Sequence, residues 1–252
     1  MRSVRVVGLG GSLREMSTSR TALQVALEGA AASGADVELI WVRDLDLPLY
    51  TDKHAPPPGA HRLAKTVYQA DALIWSSPTY HGSVSGSFKN ALDWLILLAE
   101  NEPPYLSNKP IGLVTTAGGV QGLQAVNTMD FIARSLRGWS VPLVLPVAQS
   151  WQSFDPDGRL KDEAIASQLR KLGAEVVRAA RQFQAEGTCD YAEGTNIGPE
   201  VGWPWMLSKA AEYRWRRGLV ELEPRRGWPQ PRPRGRPAPR RPSLRPSAYP
   251  GP

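Results

Sequence analysis

Five short, almost wholly apolar runs, "RVVGL", "VELIWV", "ALIWSS", "IGLVTT" and "VPLVLPV", are spaced between residues 5 and 147, each followed by a longer stretch of helical period. That alternation constrains the fold more than any other feature. A strand that is apolar at nearly every position, and not only at every second one, is buried on both faces. Such strands belong to parallel sheets with helices packed above and below. Helices are expected near residues 19 to 33, 59 to 70, 86 to 100, 121 to 137 and 161 to 185. Successive βα units with right-handed crossovers give an open, doubly wound α/β sheet. Ligands of such sheets bind beyond the carboxyl ends of the strands, so the loops after the first, third and fourth strands are where chemistry is expected. Periodicity does not give the strand order.

The pattern stops near residue 186. Residues 1 to 186 carry 18 Lys+Arg and 18 Asp+Glu, whereas residues 187 to 252 carry 12 and 6, together with 12 of the 23 prolines. The stretch "RRGWPQPRPRGRPAPRRPSLRP" has no periodic apolar face to bury. The expected organisation is one globular domain over residues 1 to 186 and a Pro/Arg-rich, disordered tail over 187 to 252. Arginines among tryptophans and prolines are compatible with a nucleic-acid contact, and "PRRP" at 239 to 242 with a proline-rich peptide ligand. Such a composition specifies no partner by itself, and a plain extension is the reading adopted. The single cysteine, Cys189, excludes an intrachain disulfide framework and fits a reducing cytoplasm. No apolar run reaches the ~18 residues of a membrane span, so a soluble cytoplasmic protein is expected.

The first loop, "GLGGSLREMSTSR" at 8 to 20, is glycine-rich yet matches neither familiar nucleotide signature. A dinucleotide fingerprint beginning at Gly8 needs glycine where Leu13 stands, and a Walker A loop needs a Gly-Lys-Ser/Thr that is absent. The loop offers hydroxyls and a guanidinium instead: Ser12, Arg14, Ser17, Thr18 and Ser19, where a helix begins. Free amides and the positive end of the helix dipole favour an anion there, and this donor set suits a terminal phosphate monoester better than a pyrophosphate. A simpler role is also open, with Ser17 or Ser19 capping the helix and Arg14 a solvated charge.

The second loop lies in "SSPTYHGSVSGSFKNALDWL", residues 76 to 95. Pro78 turns the chain, Tyr80 offers an aromatic face with a polar tip, and Gly82 and Gly86 allow a flat ligand to approach. The amides from Thr79 to Gly82 can then reach the heteroatom edge of a ring. Lys89 and Asp93 are spaced to pair on the following helix, with Leu92 and Trp94 in buried contact. The third loop, "TTAGGVQG" at 115 to 122, borders the same ring through Ala117, Gly118 and Gly119, or is an ordinary turn. His81 is either a proton donor or a partner of a backbone carbonyl or a subunit contact. His81 and Tyr80 are therefore candidates only, and no catalytic residue is assigned. His54 and His61 are expected to face solvent, with no spacing that makes a metal site.

Together, "GSLREMSTSR" and "SPTYHGSVSGSFKNALDW" resemble the flavodoxin-like NAD(P)H-dependent FMN reductases, a family that includes quinone, chromate and azo-dye reductases. The resemblance runs from about residue 3 to residue 184. It implies a flavodoxin-like five-stranded sheet of order 2-1-3-4-5, with FMN held through its phosphate by Ser12, Arg14, Ser17 and Ser19. It implies a ring resting on Pro78, Thr79, Tyr80, His81 and Gly82 and bordered by Ala117, Gly118 and Gly119, NADPH or NADH as donor, and homodimers or homotetramers. The chain departs from the family's pattern at Thr79, where many relatives have an acid, and at His81 and Ser19, where many have asparagine.

The expected function is an FMN-dependent NAD(P)H oxidoreductase that passes hydride to a small-molecule acceptor: flavin, quinone, azo compound or chromate. Two alternatives share parts of the pattern. A flavodoxin-type electron carrier has the same fold but is usually strongly acidic, unlike residues 1 to 186. A non-redox nucleotide-binding module keeps the phosphate loop and needs no ring-contact segment.

Overall fold

The computed structural model describes residues 2 to 185, so the readings made for residues 187 to 252 lie outside the described residues. In chain order the strands are β1 (Val4–Gly10), β2 (Ala35–Trp41), β3 (Ala72–Tyr80), a two-residue β4 (Ser83–Val84), β5 (Pro110–Thr116) and β6 (Trp139–Val147). The helices are α1 (Thr18–Ala32), α2 (Pro58–Gln69), α3 (Gly86–Asp93), α4 (Gly122–Ser135), a one-turn α5 (Ser150–Ser153) and α6 (Glu163–Ala185). The sheet runs β2-β1-β3-β5-β6, all parallel, with β4 pairing antiparallel to the end of β3. Counting the parallel strands alone, the order is 2-1-3-4-5, as the resemblance implied.

Both faces are covered because alternate residues of each strand point to opposite sides. Val7, Leu9, Leu73, Trp75, Ile111 and Leu113 join one core with α2, α3 and α4. Val4, Val6, Ala72, Ile74 and Val114 join the other with α1 and α6. The chain turns one way from β1 to β2 and the other way from β3 onward, so β1 and β3 flank the switch point where the loops above the sheet part.

Local chemistry sets the helix starts. Ser17 and Ser85 cap α1 and α3 through hydroxyls that accept from Arg20 N and Phe88 N, and Pro58 opens α2 at a position whose N–H would have no helical partner. The third helix is shorter than its apolar pattern suggested. It ends at Asp93 and continues as a 3-10 turn over Trp94–Leu98, a tighter winding that buries Trp94, Leu95 and Leu98. Leu92 and Trp94 are buried and Lys89 pairs with Asp93 at 2.5 Å, as expected. β4 and α5 are too short to leave a periodic signal. No helix among the described residues is long and apolar enough to cross a membrane.

Candidate functional site

Residues 11 to 17 leave the end of β1 and enter α1, and hydroxyls of this loop and of α1 meet others from β3 and β5 there. Arg14 N donates to Ser12 Oγ at 3.1 Å, which leaves the buried Ser12 hydroxyl its own proton to give. Ser17 Oγ accepts from Arg20 N at 3.4 Å and lies 2.9 Å from Ser19 Oγ, so Ser17 is both the cap and a member of the cluster. Ser19 is fully buried, and its carbonyl accepts from Ser76 Oγ of β3 at 2.7 Å. Thr18 Oγ1 donates to Thr116 Oγ1 of β5 at 3.1 Å. Gly11 anchors the loop: its N–H donates to Ser76 O at 2.8 Å, and its carbonyl accepts from Ser85 Oγ at 2.6 Å and Ser87 Oγ at 2.9 Å. A Cβ on Gly11 would lie 2.6 Å from Phe88, so only glycine lets α3 approach this closely. Behind the loop, Trp41 donates its Nε1–H to Ser12 O.

The second loop makes a hairpin. β3 runs through Pro78 to Tyr80 and reverses at His81 and Gly82 into β4, pairing Thr79 with Val84 and Tyr80 with Ser83. His81 has φ 50° and Gly82 φ 78°, the two positive angles of a type I′ turn. Asn-Gly is the favoured pair for that turn, and histidine is among the few side chains that tolerate the first position. His81 therefore fits the backbone shape of this turn.

A cleft of about 450 Å3, within the ~300–1,000 Å3 of small-molecule sites, opens beside this hairpin. Thr79, His81, Gly82, Ala117, Gly118, Gly119 and Gln121 line it, so the second and third loops come together as expected. Pro78 and Tyr80 do not line it: Pro78 is half-buried opposite Thr116, and Tyr80 is half-exposed on the hairpin. The wall at 117 to 119 is tied to the chain after β6, with Ser150 N donating to Ala117 O at 2.9 Å and Gln149 N to Gly119 O at 3.1 Å. A hollow of similar size between β6 and α6 is lined by Leu143, Lys171, Ala174, Glu175 and Arg178. It holds none of the expected residues, and Arg178 there pairs with Glu175. His54 and His61 are exposed, as expected.

Residues 4–152 match the family model of NADPH-dependent FMN reductase. The chain belongs to that family. The reductase is 32% identical over 194 residues to an NAD(P)H:quinone oxidoreductase of Solanum tuberosum, covering 74% of this chain and 97% of that one. It is 29% identical over 203 residues to an NADPH-dependent FMN reductase of Rhizobium meliloti, covering 78% and 82%. The solved structure of a flavoenzyme NAD(P)H:(acceptor) oxidoreductase from Paracoccus denitrificans shares its fold, with a TM-score of 0.58 at 24% identity over 71% of this chain and 98% of that one. The reductase is thus an FMN-dependent NAD(P)H oxidoreductase, an enzyme and not an electron carrier.

The residues present fit the cofactor. A phosphate needs donors and positive charge, and the loop supplies hydroxyls, a helix N-terminus and Arg14, which is exposed and has no ion pair among the described residues. A ring needs room: a Cβ added at Gly82 or Gly118 would meet nothing within 4 Å, and the Thr79 Oγ1 at the cleft is buried without a partner. Inspection of the sequence missed Gln121 and Trp41. Gln121 follows the glycine pair with no motif of its own, and Trp41 reaches the loop only because β2 aligns it with Gly10.

Proposed function

We propose that the hydroxyl cluster at the start of α1 holds the FMN phosphate, and that the cleft between the hairpin and residues 117 to 121 holds the ring. NAD(P)H and a neutral planar acceptor of the quinone class use this cleft in turn. The observation that carries the reading is the placement of cluster and cleft on one edge of the sheet, joined through Gly11, whose amide is bound to β3 and whose carbonyl is bound to the first turn of α3. FMN bound here would supply the hydride-transfer chemistry between donor and acceptor. The protein's part is position and polarity. Ser12 and Ser17 donate hydrogen bonds, Ser19 fixes the Ser17 hydroxyl, and Arg14 balances charge. The backbone from Thr79 to Gly82 presents amides to the ring edge, and Ala117, Gly118 and Gly119 keep the opposite wall low. Exposed Leu13, Met16, Tyr80 and Val120, each adjacent in sequence to these residues, support an apolar acceptor over an oxyanion.

The test begins with a visible spectrum of the purified protein before and after NADPH, followed by initial rates at varied NADPH and benzoquinone. A yellow protein that bleaches and gives parallel double-reciprocal lines fits one shared cleft. A colourless protein that refuses added FMN would overturn the assigned site, intersecting lines would overturn the shared cleft, and faster turnover of chromate than of quinone would overturn the acceptor class. We read the working form as a cytoplasmic homodimer or homotetramer. The single cysteine and the 52% and 74% exposure of Leu123 and Phe131, two turns apart on α4, support this.

A further inference from the structure

We propose that Arg20, seated on the face of Trp41, is a second cation for the flavin phosphate beside Arg14, an inference that rests on reading residues 11 to 19 as the phosphate socket. Arg20 is the third residue of α1, and its backbone amide already binds Ser17 Oγ, which fixes its Cα next to the hydroxyl cluster. Its guanidinium carbon lies 4.1 Å from the centroid of the Trp41 ring. Its Nε is buried with no hydrogen-bond partner, and its side chain makes no ion pair among the described residues. A buried guanidinium N–H without an acceptor is costly, and an arriving anion removes that cost.

The other arginine on the same indole provides a contrast. Arg43 stands 5.3 Å from the ring centroid and is paired with Glu15 at 3.1 Å. Trp41 thus carries two cations, one neutralised within the protein and one not. The same indole fixes the socket by donating to Ser12 O, so Trp41 is a positioning residue for both the loop and Arg20. Charge arithmetic agrees. A phosphate monoester near neutral pH carries about −1.5 to −2, while Arg14 and a helix N-terminus together supply about +1.5. Arg20, with a full positive charge, more than covers the remaining deficit of up to about 0.5 and, held by cation–π contact, is already oriented before the ligand arrives.

The experiment titrates the apoprotein with FMN and with riboflavin by flavin fluorescence, for wild type, Arg14→Ala, Arg20→Met, Arg20→Gln and Trp41→Phe. Met keeps an apolar stem over the indole, and Gln is a second neutral variant should Arg20→Met not fold. Loss of the cation should weaken FMN about 10-fold or more and leave riboflavin unchanged, with a shallower salt dependence of FMN binding. Trp41→Phe, which removes the indole N–H, should also lower the ratio of FMN to riboflavin affinity. Equal losses of both flavins in the Arg20 variants would reduce Arg20 to packing and overturn the proposal, as would no loss of either. If Arg14→Ala lowers the ratio and the Arg20 variants do not, Arg20 alone is refuted. If none of the variants moves the ratio, the socket reading itself fails.

Discussion

Gly118→Ala isolates the ring half of the site. A Cβ at Gly118 would meet no atom within 4 Å, and the backbone there lies outside the left-handed region, so the apoprotein has no steric reason to resist the methyl. Restricting the unfolded chain should even stabilise the variant by about 0.4–1 kcal/mol. The neighbouring glycines cannot give so clean a result: Gly82 has φ 78°, which strains alanine, and a Cβ on Gly119 would lie 2.7 Å from Gln121 Oε1. If the flavin ring sits against residues 117 to 119, as proposed, the added methyl occupies space the ring needs. Overpacking of that kind costs roughly 1–3 kcal/mol, or roughly 5- to 150-fold in Kd. Thermal unfolding of the apoprotein and fluorescence titration with FMN and riboflavin measure the two effects separately. The expected outcome is an unchanged or raised Tm with equal losses of affinity for both flavins, since the ring is common to them. An unchanged affinity for both would remove the ring from this wall, and a loss confined to FMN would put the phosphate there instead.

Arg14→Ala should show the converse, weakening FMN roughly 10- to 100-fold and sparing riboflavin, because a charge-assisted hydrogen bond to phosphate is worth about 1.5–3 kcal/mol; equal losses would mean that Arg14 only shapes the loop. His81→Asn places the favoured residue at the first position of the type I′ turn and should raise stability by up to about 1 kcal/mol with the pH profile of turnover unchanged; a lost alkaline or acid limb would make His81 a proton donor. Lys109 Nζ, which binds the carbonyls of Tyr68 and Ala70, is lowered by burial to about 8, with Asp71 opposing the shift and Arg2 adding to it. The unfolded chain keeps that proton to about pH 10.4 and so binds more protons between the two values, and stability should rise with pH across that window. Lys109→Met should remove that rise from a series of melting curves between pH 7.5 and 10; parallel curves for the two proteins would refute it.

The fold was legible because its signal is repetitive and local. Five apolar runs with intervening helical patterns suffice for a doubly wound sheet, whichever residues later touch. The strand order was not legible in the pattern, and only the resemblance carried it. Where length alone decides, as in the 3-10 turn after Asp93, apolar periodicity overran the true helix end. The site divides the same way. Ser12, Ser17 and Ser19 sit within one loop and a first helical turn, so their meeting is written in consecutive residues. Trp41 depends on the register of β2 against β1, the Thr18–Thr116 pair on the seating of α1 beside β5, and Gln121 on the loop that leads into α4, none of which a local string encodes.

Glycine in the first loop was the least transparent signal, and its packing explains why neither nucleotide fingerprint applied. A Cβ on Gly8 would lie 2.8 Å from Leu27 of α1, and one on Gly11 would lie 2.6 Å from Phe88 of α3. These glycines admit helices from the two opposite faces of the sheet against the end of β1. They are not there to let a pyrophosphate approach the backbone. Drawn in this way, α1 and α3 bring their first turns to one edge, and the hydroxyls of Ser17, Ser85 and Ser87 gather around Gly11 and the loop it begins. On the proposed reading the phosphate is left to side-chain hydroxyls and guanidinium groups, which suits a monoester. With its glycines taken up by helix packing, the loop has serine and arginine to offer the proposed anion, and these recur through residues 12 to 20.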